Sequence, residues 1–324
     1  MLYPLQFRPR LKERIWGGKA LAAKGGPHKR IDPDKKYGES WEISGVQGDI
    51  SIVKNGSLKG NNLQELIEVY MGDLVGDRIY EKFGVEFPLL VKYIDTQDLL
   101  SIQVHPDDRL AAERHNAYGK TEMWYVVSAE PGAVLYLGFR EGVTREQYEQ
   151  AVAEGTLPDL LNKIETRAGD AWYIPAGTIH AIGKGVRLVE IQQTSDVTYR
   201  VFDWNRTDAK GHHRQLHTEL AIDAIRFDHD VRYNITRPTE KNRSVELIHC
   251  PYFSVNLIDL DGTIDKNLSA CGTFVIYICT EGKVQIVCNC GTLTLEAGEV
   301  VLIPAEEDQA VLTGTGTLLE VYPE

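Results

Sequence analysis

The chain is poor in cysteine and short of positive charge, and it has no long apolar run. Five of its 324 residues are cysteine, and all of them, Cys250, Cys271, Cys279, Cys288 and Cys290, lie in the last third. An odd number so confined argues against a disulfide framework. Cys288-x-Cys290 follows Ile286-Val287 in a period-2 run, which is the pattern of ordinary strand cysteines rather than of a thiolate metal site. No apolar stretch approaches the length that crosses a bilayer. Residues Met1-Leu2-Tyr3-Pro4-Leu5-Gln6-Phe7-Arg8 lack the apolar core and small-residue cleavage site of a signal peptide, so a cytoplasmic location is expected. With 35 Lys and Arg against 47 Asp and Glu, the net charge is −12. That balance argues against nucleic acid or an anionic membrane as main partner, and an anionic small substrate would need a local basic cluster. Lys92, Lys120 and Arg200 are candidates for it, each beside a motif described below. No feature assigns an oligomeric state.

What the chain does carry is a polar constellation at strand spacing. Successive strand side chains face opposite ways, so Ser101, Gln103 and His105 share one face while Leu100, Ile102 and Val104 share the other. Lys120 and Glu122 repeat the two-residue spacing before the strand-like run Trp124-Tyr125-Val126-Val127. His180 follows a Pro-Ala-Gly turn that ends Ala171-Trp172-Tyr173-Ile174. Two imidazoles, a carboxylate and an amide oxygen form a mixed N/O set suited to zinc or another first-row divalent ion, with room for water or substrate. Further along, Glu190, Asp196 and Arg200 stand at even separations and share a face if the segment stays extended. Beside a metal they supply an acid-base carboxylate and a fixed positive charge.

An internal repeat organises the chain. Arg167-Ala-Gly-Asp-Ala-Trp-Tyr-Ile-Pro-Ala-Gly-Thr-Ile-His180 matches Glu296-Ala-Gly-Glu-Val-Val-Leu-Ile-Pro-Ala-Glu-Glu-Asp-Gln309 at one offset, 296 − 167 = 309 − 180 = 129. Two copies of one β-module are implied, and Gln309 in place of His180 indicates a second copy without metal. Glu122-Met-Trp-Tyr-Val-Val resembles Thr273-Phe-Val-Ile-Tyr-Ile-Cys at a longer offset, explained by an insertion at Val143–Ile164 in the first copy. That insertion reads as a broken helical period with a turn at Gly155 and Pro158. Leu63, Leu66, Ile67, Tyr70 and Leu74 mark one apolar stripe of a helical segment at about 62–84, and further helices are expected near 106–117 and 216–226. The rest reads as strand and loop. His212, His213 and His217 fall in and after the loop Asp208-Ala-Lys-Gly211 and read as solvated, and His28, His115, His229 and His249 have no partner at ligand spacing.

Gly169-x5-Pro175-x-Gly177-x2-His180 resembles the second signature motif of the cupin superfamily, in which a tight turn presents a metal-binding histidine to a β-barrel interior. The first cupin motif fits less well. Gln103 stands where a histidine is usual, and Glu122 is 122 − 105 = 17 positions after His105 rather than a few. More closely, Phe87-Pro-Leu-Leu-Val-Lys92, Leu100-Ser-Ile-Gln103-Val-His105-Pro, Gly119-Lys120-Thr-Glu122 and Ser195-Asp196-x3-Arg200 resemble type I phosphomannose isomerases. The likeness extends to Arg14-Ile-Trp16-Gly-Gly and Gly38-Glu-Ser-Trp41-Glu, and lacks the large helical insertion of the longer family members.

The resemblance implies a mainly β protein. A metal-binding cupin or jelly-roll barrel with helical segments would span residues 1–235, and a smaller, degenerate cupin-like β-domain residues 236–324. It implies one zinc ion per chain held by Gln103, His105, Glu122 and His180, with Arg200 as the catalytic arginine, in an enzyme that interconverts mannose 6-phosphate and fructose 6-phosphate. Asp196, Glu190 and a metal-bound water all stay open as the proton carrier. Lys120 and Lys92 would supply charge for the sugar phosphate, Ser101 a hydroxyl, and Trp16 an apolar wall. A cupin dioxygenase would use a similar ligand mix but would not need Arg200 or Lys120, and a sugar-phosphate sensor would carry a DNA-reading or other output segment, which the sequence does not show.

Overall fold

The structure is a computed structural model and describes residues 2–22, 32, 34–207, 210–228 and 233–324. His28 and His229, and Asp208 and Ala209 of the loop singled out above, lie outside the described residues. The first 235 residues contribute the strands β1 (Arg10–Gly18), β2 (Tyr37–Ser44), β3 (Leu89–Asp95), β4 (Ile102–Val104), β5 (Glu122–Ala129) and β6 (Val134–Phe139). Six more follow: β7 (Leu161–Glu165), β8 (Ala171–Ile174), β9 (His180–Ile182), β10 (Val186–Gln193), β11 (Tyr199–Phe202) and β12 (Asn234–Ile235). They form a seven-stranded sheet in the order β1-β2-β3-β10-β5-β8-β12 and a five-stranded sheet in the order β11-β4-β9-β6-β7. The remainder forms a six-stranded sheet from β13 (Ser244–His249), β14 (Phe253–Asn267), β15 (Val275–Cys288), β16 (Gly291–Glu296), β17 (Val300–Ile303) and β18 (Gln309–Pro323), with β17 on β15. The protein is mainly β and cupin-like, with open sheets rather than closed barrels.

The helices occupy the expected segments. α1 (Leu63–Val75) starts at a capping box in which Asn62 Oδ1 accepts from the Glu65 amide and Glu65 accepts from the Asn62 amide. Its stripe Leu63, Leu66, Ile67 and Leu74 is buried in a cluster with Phe253, Phe274 and Ile276, so the C-terminal sheet and the N-terminal half share core. α2 (Asp77–Phe83), α3 (Asp108–His115), α4 (Arg145–Glu154) and α5 (Thr218–Ala224) complete the set. The insertion departs from expectation at its end. α4 stops at Gly155 in the left-handed region, a 3-10 turn spans Leu157–Leu160, and Leu161–Glu165 is strand β7 rather than helix. Its residues find partners along β6, Leu135 opposite Ile164 and Phe139 opposite Leu161, and this pairing overrides the helical pattern.

A second departure concerns Glu190, Asp196 and Arg200, which do not share one extended strand. β10 ends at Gln193, and the link 194–198 crosses from the seven-stranded sheet to β11 in the five-stranded one. Glu190 and Arg200 therefore stand on different sheets and both line one cavity, with Asp196 on the link between them.

Candidate active site

Register places the chemistry in two rows. In the five-stranded sheet, Arg200 is directly opposite Gln103, and Gln103 is opposite His180. Residues paired in this way point to the same face, so one row spans β11, β4 and β9. In the seven-stranded sheet a second row runs Trp41, Lys92, Glu190, Trp124, Trp172 across β2, β3, β10, β5 and β8. Glu122 opens β5 opposite Gln192. The Pro175–Gly177 turn ties the ligand-bearing segments together, because the Gly177 amide donates to the His105 carbonyl at 2.9 Å. Gly177 has φ +87°, and a Cβ there would stand 2.8 Å from the Ala224 carbonyl, so only glycine fits.

His105, Glu122 and His180 are almost fully buried and offer ligand atoms within 4.8 Å of one another, a possible metal-binding site. Their hydrogen bonds select the atoms. His105 Nδ1 is 3.0 Å from the Val197 carbonyl and His180 Nδ1 is 2.9 Å from the Thr178 carbonyl. A carbonyl only accepts, so each Nδ1 carries the proton and each Nε2 presents a lone pair. Both Nε2 atoms lie 3.5 Å from the Glu122 carboxylate, and Glu122 Oε1 is a buried oxygen with no hydrogen-bond partner. Burial, then Lys120, push His105 well below the usual histidine range, and the same two causes bring His180 to about 4. Neutral imidazoles make no ion pair with Glu122. The donor set fits one divalent ion.

The charges around it are balanced. Lys120 Nζ donates to Glu122 Oε2 and lies 3.0 Å from His105 Nε2. Lys92 Nζ donates to Glu190 Oε1 at 2.8 Å and to Gln192 Oε1 at 2.6 Å, and Trp124 Nε1 donates to Glu190 Oε2 at 3.0 Å. Burial alone would raise Glu190, but Lys120, Lys92 and these donors outweigh it and hold the carboxyl low. Burial and the nearby Glu190 charge raise Glu122, which Lys120 offsets only in part.

Above this buried floor lies a cavity of about 610 Å³ lined by Trp16, Lys92, Ser101, Gln103, Lys120, Glu190, Asp196 and Arg200, eight of the sequence-derived candidates. The three residues His105, Glu122 and His180 sit beneath it. Lys92 and Lys120 are 6% and 3% exposed and already paired with carboxylates, so their ammonium groups face the site's anions. The other cations lining the cavity are Arg200 and the paired Lys12 (with Asp49), Arg14 (with Glu39) and Arg214 (with Asp203). Arg200 Nε donates to Ser101 Oγ at 3.2 Å, and its basicity is lowered by burial and by Arg214, Arg206 and Arg14 nearby. Sequence reasoning missed Arg14 as a wall residue, although it opens a quoted motif. It also missed Trp124 and Gln192 as partners of the buried charges; the even spacing of Glu190 and Gln192 was the available signal.

Comparison with known proteins converges on one family. The chain matches the family model "Phosphomannose isomerase type I, catalytic domain" over residues 4–126 and "Mannose-6-phosphate isomerase, cupin domain" over residues 244–323. It is 37% identical to a mannose-6-phosphate isomerase of Streptococcus mutans, covering 94% of this chain and 93% of that one. It is 36% identical to the mannose-6-phosphate isomerase ManA of Bacillus subtilis, with 93% of each covered. The crystal structure of a mannose 6-phosphate isomerase from Bacillus subtilis superposes with a TM-score of 0.88 at 33% identity, covering 98% of this chain and 99% of that one. With the buried His-Glu-His cluster and the cavity above it, these likenesses show that the chain belongs to the type I phosphomannose isomerase family of mannose-6-phosphate isomerases.

Proposed function

We propose that the cavity isomerises mannose 6-phosphate and fructose 6-phosphate by moving a proton between C1 and C2, with one zinc ion held by His105, Glu122, His180 and Gln103. The observation that carries this is the pair of Nε2 lone pairs and the unpartnered Glu122 Oε1 facing one another in a buried cluster. Gln103 completes the set from the adjacent strand. Its Nε2 lies 3.3 Å from His180 Nε2, and a half-turn of the amide presents Oε1 instead. When bound, zinc would polarise the substrate carbonyl.

The chain's own residues do the rest. A proton on carbon next to a carbonyl leaves readily only if the enediolate is stabilised. The Arg200 guanidinium, charged at every accessible pH, stands in the row of Gln103 and His180 and supplies that stabilisation. Asp196 is exposed on the cavity wall, and no hydrogen bond engages it among the described residues. It carries the proton between the two carbons. Glu190 has both oxygens committed to Lys92 and Trp124, and it fixes the buried charges instead. Lys92 and Lys120 balance Glu122 and Glu190, so a divalent ion leaves an excess of positive charge that an anionic substrate neutralises. Arg14, Arg214 and Lys12 at the wall extend this field to the phosphate, and Ser101, which accepts from Arg200, keeps its own hydroxyl proton to donate.

The test is a coupled assay of mannose 6-phosphate isomerisation before and after chelation, with zinc then restored. Activity should vanish with the metal and return with it, and turnover in deuterated water should place solvent hydrogen at C1 or C2 or show transfer between them. Full activity of metal-free protein would reject the reading.

A further inference from the structure

Arg200 owes its position to a short segment that lies outside the strands. Gln215 and His217, just before α5, bracket it with three hydrogen bonds. The Arg200 amide donates to His217 Nδ1 at 3.1 Å, the His217 amide donates to the Arg200 carbonyl at 2.7 Å, and Arg200 Nη1 donates to the Gln215 carbonyl at 3.0 Å. The first of these is a side chain completing a backbone ladder. β11 is the edge strand of its sheet, paired with β4 on one side, and on the free side His217 takes up the backbone amide of the residue that faces the cavity. An edge amide without such a partner is free to turn outward.

We propose that His217 is a positioning residue for the isomerase reaction: its neutral ring, protonated on Nε2, holds the Arg200 backbone through Nδ1, and acid releases the arginine by taking that lone pair. The chemistry of imidazole requires this link. A backbone amide is only a donor, so Nδ1 accepts, and an imidazolium has no lone pair with which to do so. Protonation at Nδ1 would set N–H against N–H and place a second positive charge beside the guanidinium.

The groups that face His217 come from β11, α3 and its own helix. Tyr199 and Arg200 approach from β11, with the Tyr199 ring centroid 6.5 Å from that of His217. From α3, His115 Nε2 lies 2.7 Å from the Tyr199 hydroxyl, and Arg114 pairs with Asp223 of α5. On its own element Glu219 stands in the first turn. Burial first, then the Arg200 and His115 charges, hold the His217 pKa below the usual histidine value. The ring is therefore neutral at physiological pH, and the clasp is closed there.

This inference rests on the role assigned above to Arg200, and the experiment separates the two. Metal-saturated wild type, His217→Ala, His217→Asn and Arg200→Ala are compared for kcat and KM between about pH 5 and 8. Asparagine offers an oxygen acceptor that does not titrate. At neutral pH, His217→Ala should lower kcat by about tenfold, the worth of one hydrogen bond that aligns a transition-state group, and His217→Asn should recover most of that loss. At the acid end, His217→Asn should lose less of its kcat than wild type does. Wild-type kcat in the alanine variant, equal losses in alanine and asparagine, or an unchanged acid limb in the asparagine variant would each overturn the proposal. If Arg200→Ala itself retains full kcat, the assignment of Arg200 fails first.

Discussion

The two halves of the molecule use one strand plan and reach opposite ends. Register equates β8 with β17 and His180 with Gln309, both at an offset of 129. It equates Glu122 with Val275, because each faces the isoleucine that closes the matching strand, Ile174 or Ile303. Gln103, opposite His180, corresponds to Asn267, opposite Gln309. Three of the four proposed ligand positions of the first half therefore read Asn267, Val275 and Gln309 in the second. The buried carboxylate, however, is kept. Glu190 between Lys92 and Trp124 corresponds to Glu320 between Asn256 and Tyr277, and in both an aromatic donor binds it, Trp124 Nε1 at 3.0 Å and Tyr277 hydroxyl at 2.8 Å. A carboxylate kept in both halves, although the proposed ligand positions differ, belongs to the scaffold, which supports the proposal that Glu190 fixes charges rather than carrying protons.

The backbones differ as instructively. In the second half β14, β15 and β18 run unbroken for 14 or 15 residues each. In the first half the same paths are interrupted, β3 from β4, β5 from β6 and β9 from β10, so that the pieces fall into two sheets. Unbroken strands zip into one sheet and bury an apolar core, with Ile258, Leu260, Val284 and Leu312 fully enclosed. Broken strands separate two sheets, and the site stands between them.

The comparison breaks most visibly if the ligand positions are exchanged. Glu122→Val and His180→Gln install the second half's residues in the first, and each should abolish stoichiometric zinc and lower kcat by at least about a thousandfold, since a catalytic metal held by fewer ligands is lost. Metal content by atomic absorption alongside the coupled assay checks this, and retention of both metal and turnover in either variant would mean that the cluster is not the metal site. Arg200→Ala comes next. It should keep zinc and the fold and lose kcat by about a hundredfold or more, the usual scale for a transition-state charge donor. A change confined to KM would make Arg200 a binding residue.

Much of this was legible in the sequence and some of it was not. The four proposed ligands and the repeat at an offset of 129 follow from spacing and a turn motif, because strand alternation is a local property, whereas the role of Arg200 rested on the family resemblance. The break between Gln193 and Tyr199 was not legible, since Thr194-Ser195-Asp196 has no glycine or proline to mark a strand's end. The strand β7 was hidden for a different reason: its pairing with β6 is a tertiary fact that overrides local pattern. The pairing of Lys120 with Glu122 is local, two residues along the chain, but that of Lys92 was out of reach, because the glutamate that binds it is set by register between distant strands. His217 read as a loop histidine for the same reason, its partner lying 17 residues upstream on a strand edge.

Substitution at the retained carboxylate measures how far the scaffold is shared. Glu190→Gln leaves Lys92 buried without its anion and should destabilise the fold by about 3–5 kcal/mol, the cost of breaking a buried pair. Glu320→Gln should cost less, because Lys266, its partner at 2.8 Å, keeps 16% of its side chain in water. Urea unfolding of both variants in metal-free protein gives the difference, and equal losses would mean that solvent access at Lys266 has no bearing.

Acid supplies the smallest and most specific comparison. Burial would raise Glu320, but Lys266 and the donors Asn256 and Tyr277 bring its pKa below the usual carboxylate value. A depressed carboxylate binds fewer protons in the folded state than in the unfolded one, so its stabilisation is complete above the unfolded pKa of about 4.3 and is lost as pH falls through the lower folded value. The unfolding free energy of the wild type should therefore drop with acid across that interval, and Glu320→Gln should remove part of the slope. The contrast with Glu190 lies in what relieves the strain. Protonated Glu320 leaves a lysine that reaches water, whereas protonated Glu190 leaves Lys92 enclosed at 6% exposure beneath the cavity. Acid should accordingly loosen the second half gradually, while the first half resists protonation at Glu190 and then gives way steeply. Hydrogen exchange of the β18 and β10 amides along an acid series reads both transitions in one protein, and a single transition shared by the two strands would show that the halves unfold as one unit through their common core.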